Sequence, residues 1–248
     1  MKKPNGIILW SGNSLFTNEK IVAIATGFAN KSDNAKTGQV IQTWILPQKM
    51  NPFTAWVKKC DKSVCGNCLH REWHTCYVNK AQAPLNIWKA YKRKNYVRLN
   101  KENLSLFGGK IIRIGSFGDP AACPTKVWEK IIPVAKKVVG YTHAWRYCDQ
   151  SLKTFCMASC ETEKGQKFAE NKGWRTFRTR LDSEILLKNE IVCPASKEGN
   201  HKTNCDKCGL CSGTNAKNKK NIAIIFHGWA PLVSRFGKMK KNIKNHRK

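Results

Sequence analysis

The sequence predicts an α/β protein: a partial (β/α) barrel with a small N-terminal β unit and two cysteine-rich metal-binding loops. Three observations lead to this fold class. Short apolar runs precede residue 48, strand-like and helix-like segments alternate from about residue 81, and eight of the 12 cysteines fall into two groups of four. Alternating strands and helices are typical of parallel β-α units. About six or seven strands counted from residue 40 are too few for a closed eight-stranded barrel, so we expect an open one.

The N-terminal β unit spans residues 1–47. Residues 7–10 and 21–28 are apolar runs separated by polar turn residues, which predicts a small antiparallel unit. Residues 40–47 form a further apolar run that ends at Pro47, and this run is the predicted first strand of the barrel.

The barrel repeats are expected over residues 81–192. A helix at 81–94 has one mostly apolar face. Strands are predicted at 110–115, 138–143, 154–160, 175–179 and 191–194. Helices are predicted at 124–137 and 161–172, the second of which ends before Gly173. Residues 214–235 are predicted to hold the last barrel strand and a helix, and residues 236–248 to form a disordered basic tail.

The composition suits a folded protein without membrane segments. Of the 248 residues 41% are hydrophobic, with 9 Trp, 10 Phe and 5 Tyr, which excludes wholesale disorder. No stretch approaches the roughly 20 apolar residues of a membrane span, and the N-terminus lacks the apolar run of a secretory signal. We therefore expect a cytoplasmic protein with no membrane partner, in which cysteines are metal ligands or buried thiols rather than disulfides.

The net charge of +29 has two interpretations. A strongly basic chain attracts nucleic acid, which makes nucleic acid a candidate partner through the basic surface and the tail. Of the 45 basic residues, however, 35 are Lys and 10 are Arg, and the A/T-rich codons of Lys and Asn favour an origin in genome composition. Recognition sites more often use Arg, which makes bidentate contacts.

The first cysteine group lies in the loop of residues 48–80. Its members are Cys60, Cys65, Cys68 and Cys76, with the spacing C-x4-C-x2-C-x7-C, and His70 and His74 are alternative ligands within it. Four thiols are the ligand count of a zinc site or of an iron–sulfur cluster. Gly66 stands where a tight ligand turn needs an unhindered residue.

The second cysteine group lies in the loop of residues 193–213. Its members are Cys193, Cys205, Cys208 and Cys211, with the spacing C-x11-C-x2-C-x2-C. Both groups resemble ferredoxin-type runs in part, and neither has the two separate C-x2-C pairs that zinc commonly uses, which favours iron–sulfur while leaving zinc open. The remaining cysteines, at 123, 148, 156 and 160, have no ligand spacing and are expected in the core.

Polar residues follow three of the predicted strands. Ligands bind at the carboxyl ends of strands in α/β proteins, so we expect these residues around one site. The alternative is that they only form a turn and a helix cap. The predicted catalytic residues are His143 and Asp119. The predicted cofactor-binding residues are Gly115, Ser116, Gly118, Asp119 and Ser159, and Thr142, Glu161 and His227 complete the set.

These residues resemble the radical S-adenosylmethionine superfamily. In the resemblance, residues 40–47 are the first barrel strand, Cys60, Cys65 and Cys68 are the three-cysteine loop, and residues 115–120 are the glycine-rich end of the second strand that meets the amino group of S-adenosylmethionine. The resemblance implies a [4Fe–4S] cluster whose open iron chelates S-adenosylmethionine for reductive cleavage. It also implies an auxiliary cluster or a structural zinc in the second group.

The chain departs from that family in its cysteine loop. The family's usual spacing is C-x3-C-x2-C with an aromatic residue before the last cysteine, whereas this chain has C-x4-C-x2-C with Asn67 there. A fourth thiol at Cys76 would close the site. The chain is also similar to a family of bacteriophage proteins without an assigned activity over about residues 6–228, which implies the host cytoplasm. It carries this resemblance at Lys36-Thr37-Gly38, Cys65-Gly66-Asn67-Cys68, Gly140-Tyr141-Thr142-His143 and Cys193-Pro194-Ala195-Ser196.

Two hypotheses about function follow. The first is an iron–sulfur enzyme resembling the radical S-adenosylmethionine superfamily, with His143 near a substrate that is nucleic acid or a nucleotide. The second is a zinc-stabilised nucleic-acid-binding protein of phage or plasmid replication without catalysis. A barrel enzyme of another chemistry with structural metal is a third, weaker alternative.

Overall fold

One mixed sheet runs through the protein. The structure, a computed structural model, describes residues 3–29 and 34–245, and these residues form ten strands. The strands are β1 (Gly6–Asn13), β2 (Lys20–Thr26), β3 (Ile41–Pro47), β4 (Val97–Arg98), β5 (Ile111–Phe117), β6 (Lys137–Thr142), β7 (Met157–Cys160), β8 (Thr176–Arg180), β9 (Glu190–Val192) and β10 (Asn221–Ile225). The order across the sheet is β4-β1-β2-β3-β5-β6-β7-β8-β10-β9.

The sheet is mostly parallel, with an antiparallel N-terminal part. β1 pairs with β2 and β2 with β3 in antiparallel register, and the other strand pairings are parallel. The predicted α/β class and the predicted antiparallel N-terminal unit are therefore confirmed. Among the described residues the sheet does not close on itself, because β4 and β9 lie at its two edges. The strand pairing thus does not confirm the barrel that the sequence predicts.

The described part of the chain also forms nine α-helices, most of them short. They are α1 (Pro52–Val57), α2 (Lys62–Cys65), α3 (Leu69–Glu72), α4 (Ala83–Lys92), α5 (Lys101–Leu104), α6 (Lys126–Glu129), α7 (Glu163–Asn171), α8 (Cys205–Cys208) and α9 (Ala230–Asn245). The helix predicted at 124–137 was too long. Pro133 cannot donate a helical hydrogen bond and disfavours helical geometry at the residue before it, and α6 ends at Glu129.

The main core lies along the first half of the sheet. Its fully buried side chains come from successive strands, for example Ile24 of β2, Ile45 of β3 and Ile112 of β5, and Trp128 of α6 covers them. β-Branched residues dominate these strands because their side chains pack well on a pleated surface. Burial on this scale is what holds the carboxyl ends of the strands in fixed positions.

The C-terminal segment differs from the prediction. Residues 236–245 belong to α9 rather than to a disordered tail. Phe236 and Met239 are buried, and the buried Nζ of Lys240 pairs with Glu184, so an apolar stripe and one ion pair hold the helix on the protein. The last part of the predicted tail, residues 246–248, lies outside the described residues. A search of the described helices finds none with the length and apolar character needed to cross a membrane.

Candidate functional site

The carboxyl ends of β5 and β6 meet the first cysteine loop at a cavity of about 90 Å³. Cys65, Cys68 and Cys76 line it, together with the loop of residues 115–119 and His143. Three separate stretches of the sequence, between 24 and 78 positions apart, therefore meet at one place. The reason is the parallel pairing of β3, β5 and β6, which brings these strand ends to the same edge of the sheet.

The first cysteine loop is tied to the strand ends by its backbone. The amide of Asp119 donates to the carbonyl of Val64 at 2.7 Å, and Arg71 pairs with the buried carboxylate of Asp61 at 2.5 Å. Burial raises the pKa of the Cys65 thiol well above its usual value, with nearby Asp61 adding to the effect. Cys65 is thus a neutral thiol unless a cation lowers its pKa.

Cys60 lies apart from this cavity. It is exposed, and its thiol donates to the carbonyl of Lys58 at 3.3 Å. Cys60 is not among the residues that line the cavity, whereas Cys76 is. The cysteines gathered at the site are therefore Cys65, Cys68 and Cys76, and not the set Cys60, Cys65 and Cys68 that the radical S-adenosylmethionine resemblance selects.

The glycines at the end of β5 allow a backbone turn against β3. Gly115 and Gly118 have φ of 69° and 79°, in the region that favours glycine. A Cβ at Gly118 would stand 2.6 Å from the carbonyl oxygen of Ile45. Between these glycines, the buried Oγ of Ser116 has no hydrogen-bond partner among the described residues, and Ser116 lines the cavity. An unsatisfied buried hydroxyl at a cavity is a place for a ligand atom.

Asp119 positions the neighbouring strand end. Its Oδ1 accepts from the hydroxyl of Thr142 at 2.6 Å and from the amide of Ala121 at 3.0 Å, and its Oδ2 accepts from the amide of His143 at 2.8 Å. The sequence predicts Asp119 as a catalytic and cofactor-binding residue. In the structure its carboxylate is engaged by three donors of the protein itself, so its observed contacts are those of a positioning residue.

Two histidines share one buried carboxylate beside the cavity. Oε1 of Glu161 lies 3.3 Å from Nδ1 of His143 and 3.7 Å from Nε2 of His70. Burial lowers the pKa of His70 to about 4, although Glu161 opposes this effect. Burial also works to lower the pKa of His143, but the neighbouring Cys68 and Glu161 together raise it well above its usual value. The surroundings therefore shift the pKa values of the two histidines in opposite directions, that of His70 downwards and that of His143 upwards.

His143 also lies beside the cysteine loop. It lines the same cavity as Cys68, and its Nδ1 lies 3.3 Å from Oε1 of Glu161. Cys68, His143 and Glu161 thus bring a thiol, an imidazole and a carboxylate to one place. Their positions in the sequence span 93 residues. No spacing rule could have brought these three residues together, although the sequence predicts that His143 and Glu161 lie at the same edge of the sheet.

Ser159 is the predicted cofactor-binding residue that the structure places outside this cavity. Its side chain is buried, and its carbonyl accepts from the indole of Trp145 at 3.0 Å. Ser159 does not line the cavity that holds the three cysteines. These contacts place it in the packing behind the site.

The second cysteine group surrounds a smaller cavity of about 30 Å³, which is lined by Cys193, Cys205, Cys208 and Cys211. Burial raises the pKa of Cys211, and the other three thiols add to the effect. Backbone bonds tie this loop to the sheet: the amide of Gly140 donates to the carbonyl of Cys211 at 3.0 Å. The four predicted ligands of this loop are therefore neighbours in space.

The cysteine groups do not by themselves form single-ion sites. Across residues 3–29 and 34–245, no three His, Cys, Asp or Glu side chains stand in an arrangement that would hold a single metal ion. All 12 cysteines carry free thiols. An iron–sulfur cluster is several atoms wide, so its ligands stand further apart than the ligands of one ion.

A second, larger cavity adjoins the first. It has a volume of about 260 Å³ and shares His70, Tyr77 and Tyr141 with the cavity of the first cysteine group. Arg113 of β5 faces it, and the predicted His227 lies at its edge as an exposed side chain. Arg113 belongs to none of the motifs described above. A lone arginine within the apolar run Ile111-Ile112-Arg113-Ile114 was the available signal, because a charge in a buried strand needs a partner.

Comparison of the chain with protein-family models, with curated proteins and with solved structures gave no match.

Proposed function

We propose that the protein is an iron–sulfur enzyme resembling the radical S-adenosylmethionine superfamily, with its cluster on Cys65, Cys68 and Cys76. The observation that carries the proposal is that these three thiols and the glycine loop at residues 115–119 line one cavity. When bound, the cluster would supply the electron for reductive cleavage of S-adenosylmethionine. As part of this proposal, the open, mostly parallel sheet curves into a partial barrel around the site.

The donor set fits a cluster with one open position. Cys65, Cys68 and Cys76 would hold an iron–sulfur cluster through three thiolates, one fewer than the usual four, so the cluster could also bind a ligand that is not protein. Cys60 is exposed and outside the cavity, so it does not compete for that position. The hydroxyl of Ser116, which has no hydrogen-bond partner among the described residues, and the turn at Gly118 supply a polar part of the wall of the same cavity.

The chain's own residues have separable roles in this proposal. Asp119 holds the amide of His143 and so fixes the end of β6 next to the cysteine loop. Glu161 orients the ring of His143 and balances its charge. His143 then presents a proton at the cavity, where it can be given to or taken from a substrate.

Anaerobic purification of single-cysteine variants tests the cluster assignment. We expect the reconstituted wild-type chain to be brown with about four irons at the first site, and Cys68→Ser to lose that iron. Cys60→Ser is the matched control in the same loop and should retain it. A colourless, iron-free wild-type chain after reconstitution would refute the cluster, and equal loss in both variants would refute this ligand set.

For the second cysteine group we propose an auxiliary iron–sulfur cluster, because none of the described side chains are arranged to hold a single metal ion such as zinc. The support is that all four thiols line one small cavity in a loop bound to β6 through Gly140. Metal ligation would lower the thiol pKa values that burial raises. Cys208→Ser should therefore lower both the melting temperature and the metal content while sparing the iron at Cys68. Unchanged metal content in this variant would contradict the assignment.

A second candidate function is a thiol-dependent enzyme without a cluster. It is favoured by one observation: Cys68 and His143 line one cavity, and Glu161 lies 3.3 Å from His143, which are the residue types of the nucleophile, base and orienting carboxylate of cysteine hydrolases. In metal-free protein, iodoacetamide should then label Cys68 first, and His143→Gln should slow that labelling about tenfold or more. Labelling of the exposed Cys60 is the internal control. Equal rates at Cys60 and Cys68 would exclude this function.

Nucleic acid or a nucleotide is the proposed substrate class, and the host cytoplasm the proposed location. The support is the net charge of +29 and the basic residues of α9. The same charge supports a zinc-stabilised binding protein without catalysis as the alternative. Affinity for DNA that falls steeply with salt would support contact with phosphates, and affinity that does not depend on salt would exclude it.

A further inference from the structure

The larger cavity has the walls of a binding site for a small ring-shaped molecule. Inward-facing side chains of three parallel strands line it, namely Tyr141 of β6, Phe177 of β8 and Ile224 of β10. The rings of Tyr141 and Phe177 stack with their centroids 4.6 Å apart and their planes 20° apart. The volume of about 260 Å³ lies below the range of about 300–1,000 Å³ for drug-sized ligands, which favours a molecule with one ring.

The same cavity is lined by two basic side chains. Arg113 and Lys36 line it, and no Asp or Glu does among the described residues. Arg113 donates from Nη2 to the hydroxyls of Tyr141 at 2.9 Å and Tyr77 at 3.2 Å, and it forms no ion pair within the described part of the chain. A largely enclosed guanidinium without a carboxylate is costly unless an anion joins it.

We propose that this cavity binds a small aromatic or heteroaromatic molecule that carries one carboxylate or phosphate group, with the anionic group on Arg113. Carboxylate and phosphate groups both accept charge-assisted hydrogen bonds from a guanidinium. Nη2 of Arg113 donates to the hydroxyls of Tyr77 and Tyr141, so the anionic group of the ligand accepts from Nη1 or from Nε. The ring of the ligand then lies against Phe177 and Ile224.

The position of the cavity connects this ligand to the cysteine site. Tyr77, Tyr141 and His70 line both cavities, so a molecule held on Arg113 extends towards His143 and Cys68. We therefore assign this ligand as the substrate class of the enzyme proposed above, and this assignment rests on the proposed function. The binding itself does not depend on any cluster chemistry.

Titration calorimetry on the full chain tests the proposal with four probes. Benzoate and phenyl phosphate carry the two anionic groups, and benzamide and phenol are their neutral counterparts. We expect at least one anion to bind about tenfold or more tightly than its neutral counterpart, since charge-assisted hydrogen bonds are stronger than neutral ones. The preferred anion distinguishes carboxylate from phosphate. Equal affinity for the charged and neutral members of both pairs would overturn the proposal.

Two arginine variants locate the binding. Arg113→Met replaces the guanidinium by an unbranched apolar chain and should abolish the preference for the anion. Arg98→Met removes the same charge from an exposed position on β4 and should leave the preference intact. Equal loss in both variants would mean that the anion responds only to the net charge. Tyr77→Phe is the second variant if Arg113→Met does not fold, because it removes one of the hydroxyls that hold the guanidinium. It should weaken binding of the anion and leave binding of the neutral probe unchanged. Unchanged binding of the anion would overturn the proposal.

The alternative partner of Arg113 is the second cysteine group, because Cys205 and Cys211 also line this cavity. If the guanidinium only balances metal-bound thiolates, Arg113→Met will lower the metal content and no probe will show a preference for the anion. If the cluster assignment fails but the cavity does bind the anion, the preference for the anion will persist in Cys68→Ser. These outcomes separate a failure of this inference from a failure of the cluster assignment.

Discussion

At the scale of single residues, Asp119 connects three parts of the site. Its amide holds the first cysteine loop through Val64, and its carboxylate holds the end of β6 through Thr142 and the amide of His143. A carboxylate can accept all of these bonds, whereas an amide side chain has only one accepting atom. The position therefore requires Asp for the geometry of the site, whatever the chemistry that the site performs.

The substitution Asp119→Asn should lower the free energy of unfolding by about 1–3 kcal/mol, because an amide NH2 would face a donor that needs an acceptor. Urea unfolding followed by tryptophan fluorescence measures the change. Asp182→Asn is the matched control, since Asp182 is exposed, and it should change stability by less than about 0.5 kcal/mol. A loss no greater than that of the control would show that the three hydrogen bonds do not hold the strand end.

At the scale of elements, α9 shows how one ion pair and an apolar stripe fix a basic helix. Phe226 and Phe236 stack at 4.1 Å between ring centroids, and Phe236 also stacks on His70 at 5.6 Å. Lys240 reaches Glu184, which is in turn bonded to the amide of Leu181. α9 is therefore docked next to the candidate site through His70.

The Glu184–Lys240 pair should make the docking of α9 sensitive to acid. Burial acts to raise the pKa of Glu184, but the Lys240 ammonium and the Leu181 amide lower it below its usual 4.5. A depressed folded-state pKa means that the stabilisation is present above about pH 4.5 and is lost as the pH falls through the lower folded-state value.

We expect the free energy of unfolding to fall less steeply between about pH 5 and pH 3 in Glu184→Gln than in the wild-type chain. Chemical unfolding at a series of pH values measures the slope. Glu102→Gln, at an exposed carboxylate in α5, should leave the slope unchanged. A wild-type slope in Glu184→Gln would mean that the pair contributes nothing to acid stability.

The elements show where local patterns succeed and where they fail. The strands near 40–47 and 110–115 and the helix before Gly173 lie close to their predicted positions, because apolar periodicity and a glycine stop are local signals. The helix at 124–137 was overextended because Pro133 outweighs the apolar pattern around it. The disordered tail was predicted from charge alone, and buried apolar contacts of Phe236 and Met239 outweigh that repulsion as far as Asn245.

At the scale of the whole molecule, charge opposes folding. The chain has 45 basic and 16 acidic residues, so 29 basic side chains lack an acidic counterpart even if every acid is paired. Mutual repulsion of this kind weakens the compact state, and salt screens it with a Debye length of about 10 Å at 0.1 M.

We therefore expect the melting temperature to rise as sodium chloride increases from about 20 mM to about 300 mM. Differential scanning fluorimetry measures the change, and potassium chloride should give the same increase because screening does not depend on the cation. Sulfate is avoided because it stabilises folded proteins by exclusion from their surface. A melting temperature that stays level or falls with chloride would contradict net self-repulsion.

The sequence by itself determined the α/β class, the antiparallel N-terminal unit and the set of strand ends that form the candidate site. These follow from periodicity and turn residues, which act over a few positions. Only the tertiary structure decided that Cys76 rather than Cys60 joins Cys65 and Cys68 at the cavity. The same holds for the sharing of Glu161 by His70 and His143, and for the position of Arg113 in a cavity that no acidic side chain lines among the described residues. The physical reason is that such contacts join residues far apart in the chain, and they depend on strand order and register rather than on local spacing.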